Sequence, residues 1–332
     1  MATKIWFHNR RSLGKHLLWL GLWGVGLGLG ATHLLRWLSG DRYLPAQLLS
    51  YFMPWQLLAL LPGLLLAGLA RRYRLFVLLT LPALVTIFIY APLFLPSPAP
   101  ALAANQSLKV MSFNVFGLNQ DYEAVAELIL TEQPDILLLQ EAYHHNGIPL
   151  IATLQTYYSS APFYVIHNQR MGQAIISRYP LQQLERPTYL KGRTLKVRVD
   201  TPTGPIMIWN THTFPPLPQT RHEQQLANLA LDIAATDGPL IVGGDFNTTD
   251  QSEAYQWIAQ HLANAHWQAG WSFGFSFPAK VRELHGWLPI RPLIRIDHIF
   301  YSSHFLAGEA RTLSDSAGSD HFPVVAKLSR RQ

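Results

Sequence analysis

Three uncharged apolar stretches near the start of this 332-residue chain constrain its structure more than any other feature. They cover residues 17–35, 43–70 and 75–95. Each is long enough to cross a hydrocarbon core of about 30 Å, which takes about 20 helical residues. Pro62 and Pro82 lie inside the second and third stretches, where neighbouring helices can satisfy the carbonyls that they free. The sequence therefore predicts a membrane anchor of three transmembrane helices over residues 1–95.

Basic residues are distributed unevenly around these stretches. Four Lys or Arg precede the first stretch and three lie between the second and third, whereas the remaining short segment holds two together with Asp41. Because basic loops stay in the cytoplasm, this pattern predicts a multi-pass protein of the plasma (inner) membrane with a cytoplasmic N-terminus. The chain after about residue 96 is then expected on the extracytoplasmic, or periplasmic, side.

Charge and cysteine content limit what the rest of the chain can do. Residues 1–104 carry nine Lys or Arg and one acid, +8, which leaves 17 Lys or Arg against 19 Asp or Glu, −2, for the remainder. The high isoelectric point of the chain, about 9.5, therefore comes from residues 1–104. Nonspecific DNA binding needs a basic surface, so the charge of the remaining residues gives no support to a nucleic-acid partner. The absence of cysteine excludes disulfides, thiolate metal sites and a cysteine nucleophile.

Residues 96–107 (PSPAPALAANQS) are predicted to form a Pro/Ala linker between the anchor and a catalytic domain over residues 108–330. Residues 101–103 also resemble a signal-peptidase site, although an ordinary linker is the favoured interpretation. From residue 108 onward, short β-rich runs alternate with turns. Several runs are continuously apolar and end in polar residues, as is typical of strands buried on both faces.

The runs predict strands at residues 110–115, 136–140, 174–177, 194–200, 206–210, 240–243, 296–301 and 324–328. Helical periodicity predicts helices at residues 122–132, 219–235 and 252–261. This order of elements favours an α/β sandwich of two packed sheets with outer helices.

Polar residues recur where the predicted strands end. They are Asn114, Glu141, Asn210, His212, Asp245, Asn247, Asp297, Asp320 and His321. Taken singly, each has a structural explanation, such as an Asx turn after a strand for Asp245 and Asn247. Such residues are mostly exposed elsewhere, however, so their joint placement beside apolar strands indicates a functional site.

The segments SFNVFGLN, DILLLQE, GQAIISRYPL, NTH, RHEQ, GGDFN, RIDHIFYSS and SDHFPV occur in this order. They resemble the endonuclease/exonuclease/phosphatase superfamily, which includes DNase I-like nucleases, neutral sphingomyelinases and inositol-phosphate phosphatases. The resemblance covers about residues 108–328, and GDFN with SDHFPV is its most specific part. It implies a four-layered α/β sandwich (DNase I-like) and an enzyme that hydrolyses phosphate esters with Mg²⁺, or alternatively Mn²⁺.

The resemblance also implies roles for individual residues. The metal ligands are expected to be Glu141, Asn114 and Asp320, an all-oxygen set that suits a hard cation. Asp245 and Asn247 are expected to orient the attacking water and bind phosphate. His321 is expected to act at the phosphate with Asp297 orienting it, and His212 to donate to a phosphate oxygen or the leaving group. Asn210, Arg295 and Trp271 are the expected substrate-binding residues.

One position departs from the pattern of some abasic-site nucleases. These carry an acidic residue two places after the first asparagine, where this chain has Phe116. The departure puts the second-metal arrangement of that branch in doubt and makes DNA repair a poorer interpretation.

The substrate is predicted from the segment before Asp297. Residues 271–280 (WSFGFSFPAK) and Trp287 can contact a bilayer interface or an acyl or prenyl chain, or can pack beneath their own loop. His285 and Arg291 are further candidates for phosphate contacts. The anchored architecture is similar to that of bacterial membrane phosphatases linked to glycopeptide (teicoplanin-type) resistance, which are thought to act on a polyprenyl-linked precursor.

The expected function is therefore hydrolysis of a lipid-linked phosphomonoester, pyrophosphate or phosphodiester at the extracytoplasmic face, with the lipid bilayer as partner. Two alternatives stay open. One is an extracellular or periplasmic Mg²⁺-dependent nuclease, and the other is an inactive member that binds a lipid or a partner. The oligomeric state does not follow from the sequence.

Overall fold

A computed structural model describes residues 2–95, 107–157, 163–185, 193–216, 219–280 and 291–331. The chain divides into two compact units, Met1–Pro92 and Leu93–Gln332. The predicted linker and the candidate signal-peptidase site fall almost wholly outside the described residues, as do His285 and Trp287. Ser107, expected as the end of the linker, is already the first residue of a strand.

The first unit is entirely helical. Its helices are α1 (Ala2–Ser39), α2 (Leu44–Phe52), α3 (Trp55–Leu69) and α4 (Tyr73–Tyr90). Leu60 of α3 packs with Leu75 and Leu79 of α4, while many other leucines of the unit are exposed. Two stretches, Leu13–Ser39 and Tyr73–Phe94, are long and apolar enough to cross a membrane.

The second apolar stretch is divided between two helices. Helices α2 and α3 meet at an angle of 89° around Met53 and Pro54. Proline has no backbone N–H and its ring clashes with the preceding turn of a helix, so Pro54 begins α3 rather than continuing α2. If this bent pair counts as one span, the candidate spans number three within the described residues.

The second unit contains two six-stranded sheets. In chain order the strands are β1 (Ser107–Asn114), β2 (Ile136–Gln140), β3 (Tyr164–Asn168), β4 (Gln173–Ser177), β5 (Leu181–Glu185), β6 (Thr194–Thr201), β7 (Gly204–His212), β8 (Leu240–Asp245), β9 (Ala263–Asn264), β10 (Asp297–Tyr301), β11 (Phe305–Thr312) and β12 (Val324–Arg330). The first sheet has the order β11-β12-β1-β2-β4-β3 and the second β5-β6-β7-β8-β10-β9. Pairs β1–β2 and β7–β8 are parallel at the centre of each sheet.

Four helices of the second unit lie on the outer faces of the sheets, namely α5 (Tyr122–Glu132), α6 (His144–Tyr157), α7 (Gln219–Ala234) and α8 (Glu253–Ala259). The short α9 (Ala265–Ala269) instead packs against the core between the sheets. A 3-10 turn at Ala91–Phe94 precedes β1. Three apolar clusters separate the layers: one joins the sheets through residues such as Val110 and Ile241, one packs α5 and α6 on the first sheet, and one packs α7 and α8 on the second. The unit is thus a four-layered α/β sandwich, as predicted.

The unpredicted elements are mainly edge strands and one irregular helix. Strand β5 (LQQLE) borders its sheet with exposed glutamines, and β3 is only partly buried, so neither has a strong apolar pattern. Helix α6 contains Gly147 and Pro149, which lower helix propensity. Its buried Leu150 and Leu154 pack on the first sheet, and this contact stabilises the helix.

Candidate functional site

The predicted site residues point into the space between the two sheets at one end of the sandwich. Successive side chains of a strand alternate between its faces, so every second residue faces the same way. Counting in steps of two from the core residues Val110, Leu138, Ile208, Ile241 and Ile299 gives the inward-facing ends of five strands. These ends are Asn114, Gln140, His212, Asp245 and Asp297.

The register of the second sheet brings three of these residues together. Asp245 pairs with His212 across the parallel β7–β8 ladder and with Asp297 across the antiparallel β8–β10 ladder. Gly244 has φ +145°, and a Cβ atom there would lie 1.9 Å from the carbonyl oxygen of Thr211. The glycine before Asp245 is therefore required for the close approach of β8 to β7 that aligns His212 with Asp245.

One carboxylate oxygen of Asp245 is the centre of the site. Its Oδ2 accepts a hydrogen bond from Asn114 Nδ2 at 3.0 Å and lies 3.7 Å from His212 Nε2 and 3.8 Å from His321 Nε2. Its Oδ1 accepts from the backbone N–H of Asn247 at 2.9 Å. Donors from β1, β7 and the C-terminal segment thus converge on one buried carboxylate, which is 1% exposed.

His321 is held by an aspartate on its other side. Its Nδ1 donates to Asp297 Oδ2 at 2.9 Å, which directs Nε2 toward Asp245. The hydroxyl of Ser319 donates to the carbonyl of Asn114 at 2.6 Å and accepts from the backbone N–H of His321 at 3.1 Å, so the C-terminal segment is fixed to the end of β1. The ring of Phe277 covers the imidazole, with the ring centroids 4.7 Å apart.

Burial and mutual charge shift the protonation of these groups. Burial raises the pKa of Asp245 to about 7, opposed by the charge of His321 and reinforced by that of Asp297. Burial alone would lower the pKa of His321, but the charges of Asp297 and Asp245 outweigh it and raise that pKa to about 10. The pKa of His212 is held well below its usual value by burial and by the charges of Arg193 and His321. At neutral pH the site therefore pairs a cationic His321 with a neutral His212.

A second group of oxygen atoms lies beside this cluster. Glu141 Oε2 accepts from the backbone N–H of Gly117 at 2.7 Å, and its Oε1 is 3.4 Å from Asn114 Nδ2. Burial and the charge of Glu141 raise the pKa of Asp320. Asp320 Oδ1 is buried and has no hydrogen-bond partner among the described residues. Glu141 thus neighbours the other two predicted metal ligands, Asn114 and Asp320. The amide nitrogen of Asn114 is directed at the carboxylates of Glu141 and Asp245.

Asp245, Asp297 and His321 each offer one carboxylate or imidazole atom, and these three atoms lie within 4.8 Å of one another. This is the one such group among the described residues. Such a buried acidic and histidine cluster can hold a divalent cation. Glu141 and Asn247 have φ values of 56° and 48°. This left-handed conformation is costly for residues other than glycine and is concentrated at functional sites.

The structure corrects two of the predicted substrate-binding residues. Asn210 is fully buried between the sheets, where its Nδ2 donates to the carbonyls of Leu139 and Ala174 and its Oδ1 accepts from Gln140. Its hydrogen-bonding capacity is used in joining the sheets.

Arg295 is only 3% exposed and forms an ion pair with Asp250 at 2.5 Å. Because its charge is neutralised inside the domain, Arg295 does not present a cation to a substrate. Trp271, in contrast, is 62% exposed and available for contact.

Two cations near the site were not assigned a role from sequence. Arg193 is 8% exposed at the start of β6, lies over the ring of Phe214 at 5.3 Å, and its Nε has no acceptor in the described parts of the chain. Lys280 lies over the ring of Phe116, with its Nζ 4.9 Å from the ring centroid. Lys280 ends the aromatic segment already singled out, whereas Arg193 follows no recognisable motif.

Comparison with known proteins agrees with this arrangement. The sequence profile of the Endonuclease/Exonuclease/phosphatase family matches residues 111–321, more than half of the chain. Comparison with curated protein sequences gives no significant match.

Solved structures share the sandwich. A family protein from Bacteroides thetaiotaomicron is 18% identical with a TM-score of 0.55, covering 68% of this chain and 98% of its own. A mannosyl-6-phosphatase from the same organism is 17% identical with a TM-score of 0.53, covering 67% and 99%. D. rerio TDP2 in complex with a single-strand DNA product is 17% identical with a TM-score of 0.55, covering 67% and 99%. These likenesses establish the fold, and the profile match establishes that the chain belongs to the endonuclease/exonuclease/phosphatase family, whose members hydrolyse phosphate esters.

Proposed function

We propose that this chain is a metal-dependent hydrolase of lipid-linked phosphate esters that acts at the extracytoplasmic face of the plasma (inner) membrane. The observation that carries the proposal is the convergence of Asn114, His212 and His321 on one buried oxygen of Asp245. A protein that only bound a lipid or a partner would gain nothing from burying these titratable groups together, because their desolvation is costly.

The residues suit hydrolysis by water. A carboxyl with a pKa of about 7 can accept a proton near neutral pH, so Asp245 is the proposed base for the attacking water. The water oxygen bonds to phosphorus and the P–O bond to the leaving group breaks. The cationic His321, held by Asp297, stabilises the phosphoryl charge and supplies the proton that the leaving oxygen takes. Asn247 and the neutral His212 are proposed to contact phosphate oxygens.

Glu141, Asp320 and Asn114 are the residues proposed to hold Mg²⁺ or Mn²⁺. Glu141 and Asp320 offer carboxylate oxygens, the ligands that hard divalent cations prefer. The buried, unpartnered Oδ1 of Asp320 beside the charge of Glu141 supports a cation there, because two neighbouring carboxylates repel each other without one. When bound, such a cation supplies positive charge to the phosphoryl oxygens in the transition state.

The lipid-linked substrate is supported by an aromatic row that reaches the site. We use this name for Trp271, Phe273, Phe275 and Phe277. Phe277 contacts the ring of His321, and the rings of Phe273 and Phe275 are stacked 5.1 Å apart at 8°. A groove of about 460 Å³ runs beside Trp271, Phe273, Phe275 and Leu313. An apolar groove lined by three residues of this row fits an acyl or prenyl chain better than it fits a nucleic-acid backbone.

The activity is tested on the full-length protein in detergent micelles with Mg²⁺. Phosphate ester cleavage is compared for polyprenyl pyrophosphate, sphingomyelin, bis-p-nitrophenyl phosphate and DNA. We expect the lipid-linked phosphates to be cleaved fastest, and Glu141→Ala and His321→Ala each to abolish turnover. The matched control Asp200→Ala removes an exposed carboxylate paired with Arg198 and should leave turnover unchanged.

Three outcomes would count against the proposal. Activity that survives both substitutions would exclude this site as the catalytic one. Absence of turnover with both Mg²⁺ and Mn²⁺ would favour an inactive, lipid- or partner-binding protein. Preferential cleavage of DNA would favour the nuclease alternative. The proposed topology is tested separately with a phosphatase-type reporter fused after Leu95, which should be active because that end is expected outside the cytoplasm.

A further inference from the structure

The segment that carries the aromatic row is tied to the C-terminal part of the site and ends on a cation. The backbone N–H of Ala279 donates to the carbonyl of Asp320 at 2.7 Å, and that of Phe322 donates to the carbonyl of Ser276 at 2.8 Å. These bonds fix Lys280 beside Asp320. The ammonium group of Lys280 donates to the carbonyl of Gly318 and lies over the ring of Phe116.

Both neighbours of this ammonium group belong to the metal side of the site. Phe116 precedes Gly117, whose N–H donates to Glu141, and Gly318 lies two residues before Asp320. The positive charge of Lys280 acts on the Asp320 carboxyl, lowering its pKa against the larger effect of burial. Lys280 therefore contributes a positive charge beside Asp320.

This cation retains unused hydrogen-bonding capacity. A lysine ammonium group has three donors, and the hydrogen bond to the carbonyl of Gly318 uses one of them. A neutral side chain would serve equally well to tie the segment to Gly318. What a lysine adds is a full positive charge over the ring of Phe116.

We propose that Lys280 binds the substrate and recognises the second negative charge of a terminal phosphate group. The enzyme then prefers phosphomonoesters and pyrophosphates to phosphodiesters. A terminal phosphate carries nearly two charges at pH 7, since its second pKa is about 6, whereas a diester carries one. The proposal rests on the phosphate-ester hydrolase function above and narrows its substrate class.

The test compares two substrates that share a leaving group and differ by one charge. The values of kcat/KM for p-nitrophenyl phosphate and methyl p-nitrophenyl phosphate are measured with the full-length protein and Mg²⁺. Lys280→Met keeps the aliphatic stem over Phe116 and removes the charge. We expect it to lower the monoester-to-diester ratio about tenfold or more, because charge-assisted bonds to phosphate are the strong ones. The value of kcat/KM for farnesyl pyrophosphate is measured as well, and it distinguishes a preference for pyrophosphates from a preference for monoesters.

Two further variants control for structural effects. Lys280→Arg keeps the charge and should hold the ratio within about threefold of the wild type. Lys327→Met removes a lysine of β12 that is paired with Glu309 of β11, and it should leave the monoester-to-diester ratio unchanged. An equal loss with both substrates in Lys280→Met, or an unchanged ratio, would mean that Lys280 only ties its segment to Gly318 and would overturn the proposal.

Binding separates this inference from the question of turnover. The dissociation constants of inorganic phosphate and dimethyl phosphate are measured by calorimetry in the presence of Mg²⁺. Lys280→Met should weaken binding of inorganic phosphate about tenfold and leave dimethyl phosphate nearly unaffected. If the wild type binds inorganic phosphate in this way but hydrolyses none of the substrates, the proposed function fails and the role of Lys280 stands. Equal weakening for both ligands would refute the role of Lys280.

Discussion

A carboxyl that is buried beside both a cation and another carboxyl can change its charge near neutral pH, and Asp245 has this environment. Asp245 is only 1% exposed, so it is shielded from water. His321 Nε2 lies 3.8 Å from its Oδ2, and Asp297 is paired with it on the neighbouring strand. The effect of burial is the largest of the three and sets the pKa near 7. Enzymes use such shifted groups as bases because the ideal pKa lies close to the working pH.

We predict a bell-shaped pH profile of kcat/KM for hydrolysis of a phosphate ester. Activity should rise through about pH 7 as Asp245 loses its proton, and fall toward about pH 10 as His321 loses the charge that stabilises the phosphoryl group. Asp297→Asn removes the main charge that raises the pKa of His321. We therefore expect its alkaline limb to move to lower pH, with a loss of kcat of about 10²-fold or more.

The profile is measured with a p-nitrophenyl ester at saturating Mg²⁺. Asp315→Asn changes an exposed carboxylate and serves as a control whose limbs should coincide with those of the wild type. An alkaline limb that stays in place in Asp297→Asn would show that Asp297 does not set the charge of His321.

The fate of individual polar residues could be predicted from sequence only in part. Alternation along β7, β8 and β10 already puts His212, Asp245 and Asp297 on one face, so their proximity follows from strand pattern and register. The same alternation puts Asn210 on that face as well. Asn210 lies two residues before His212, closer to the core between the sheets. Its amide therefore donates to the carbonyls of Leu139 and Ala174 and does not face solvent.

Polar contacts between strands join the two sheets, in addition to the apolar core. Gln140 of β2 donates to Asn210 of β7, and Gln173 of β4 donates to the carbonyl of Asn210 at 2.9 Å. These buried bonds set the spacing of the sheets just beneath the site. Unpaired polar groups are costly in such surroundings, so this connection is specific to the observed register.

We predict that Asn210→Ala acts on stability rather than on substrate binding. It removes three buried hydrogen bonds, those from Asn210 to the carbonyls of Leu139 and Ala174 and that from Gln140 to Asn210, which should cost about 2–4 kcal/mol. At about 2–4 °C per kcal/mol for a domain of this size, the Tm should fall by roughly 4–16 °C. Thermal unfolding and KM are measured together.

Gln182→Ala on the edge strand β5, where the side chain is exposed, is the matched control and should leave the Tm within about 2 °C of the wild type. A raised KM in Asn210→Ala with an unchanged Tm would return Asn210 to the substrate-binding residues.

For the N-terminal apolar helices, composition correctly predicted that they are apolar but not that the second stretch is interrupted. The second stretch is uncharged from residue 43 to residue 70, which satisfies the length requirement for a span. Pro54 nevertheless divides it into α2 and α3. Hydropathy averages over a window and is insensitive to the missing N–H of one residue, so a broken pair and a straight span have the same profile.

For the whole molecule, the absence of cysteine provides a direct test of sidedness. Single cysteines are introduced at Ser303, exposed in the catalytic domain, and at Arg74, exposed at the start of α4. With the proposed topology, a membrane-impermeant maleimide should label Ser303→Cys in intact cells (spheroplasts where there is an outer membrane), and Arg74→Cys only after lysis. The prediction follows from seven basic residues on the expected cytoplasmic side against two on the other.

Labelling of Arg74→Cys in intact cells, with Ser303→Cys protected until lysis, would reverse the orientation and bring cytoplasmic substrates back into consideration. The unsubstituted chain should remain unlabelled throughout, because it has no thiol.

The sequence by itself determined the layered α/β sandwich, the apolar helices before it and the strand ends that carry the chemistry. Periodicity and residue type act locally, and they are sufficient to assign a residue to an element and a face. Only the tertiary structure decided that Asn210 joins the sheets, that Arg295 is neutralised by Asp250, and that Lys280 lies over the ring of Phe116. These outcomes depend on which groups from distant parts of the chain lie within a few ångströms, because burial and a neighbouring charge decide whether a polar side chain is structural or free to meet a substrate.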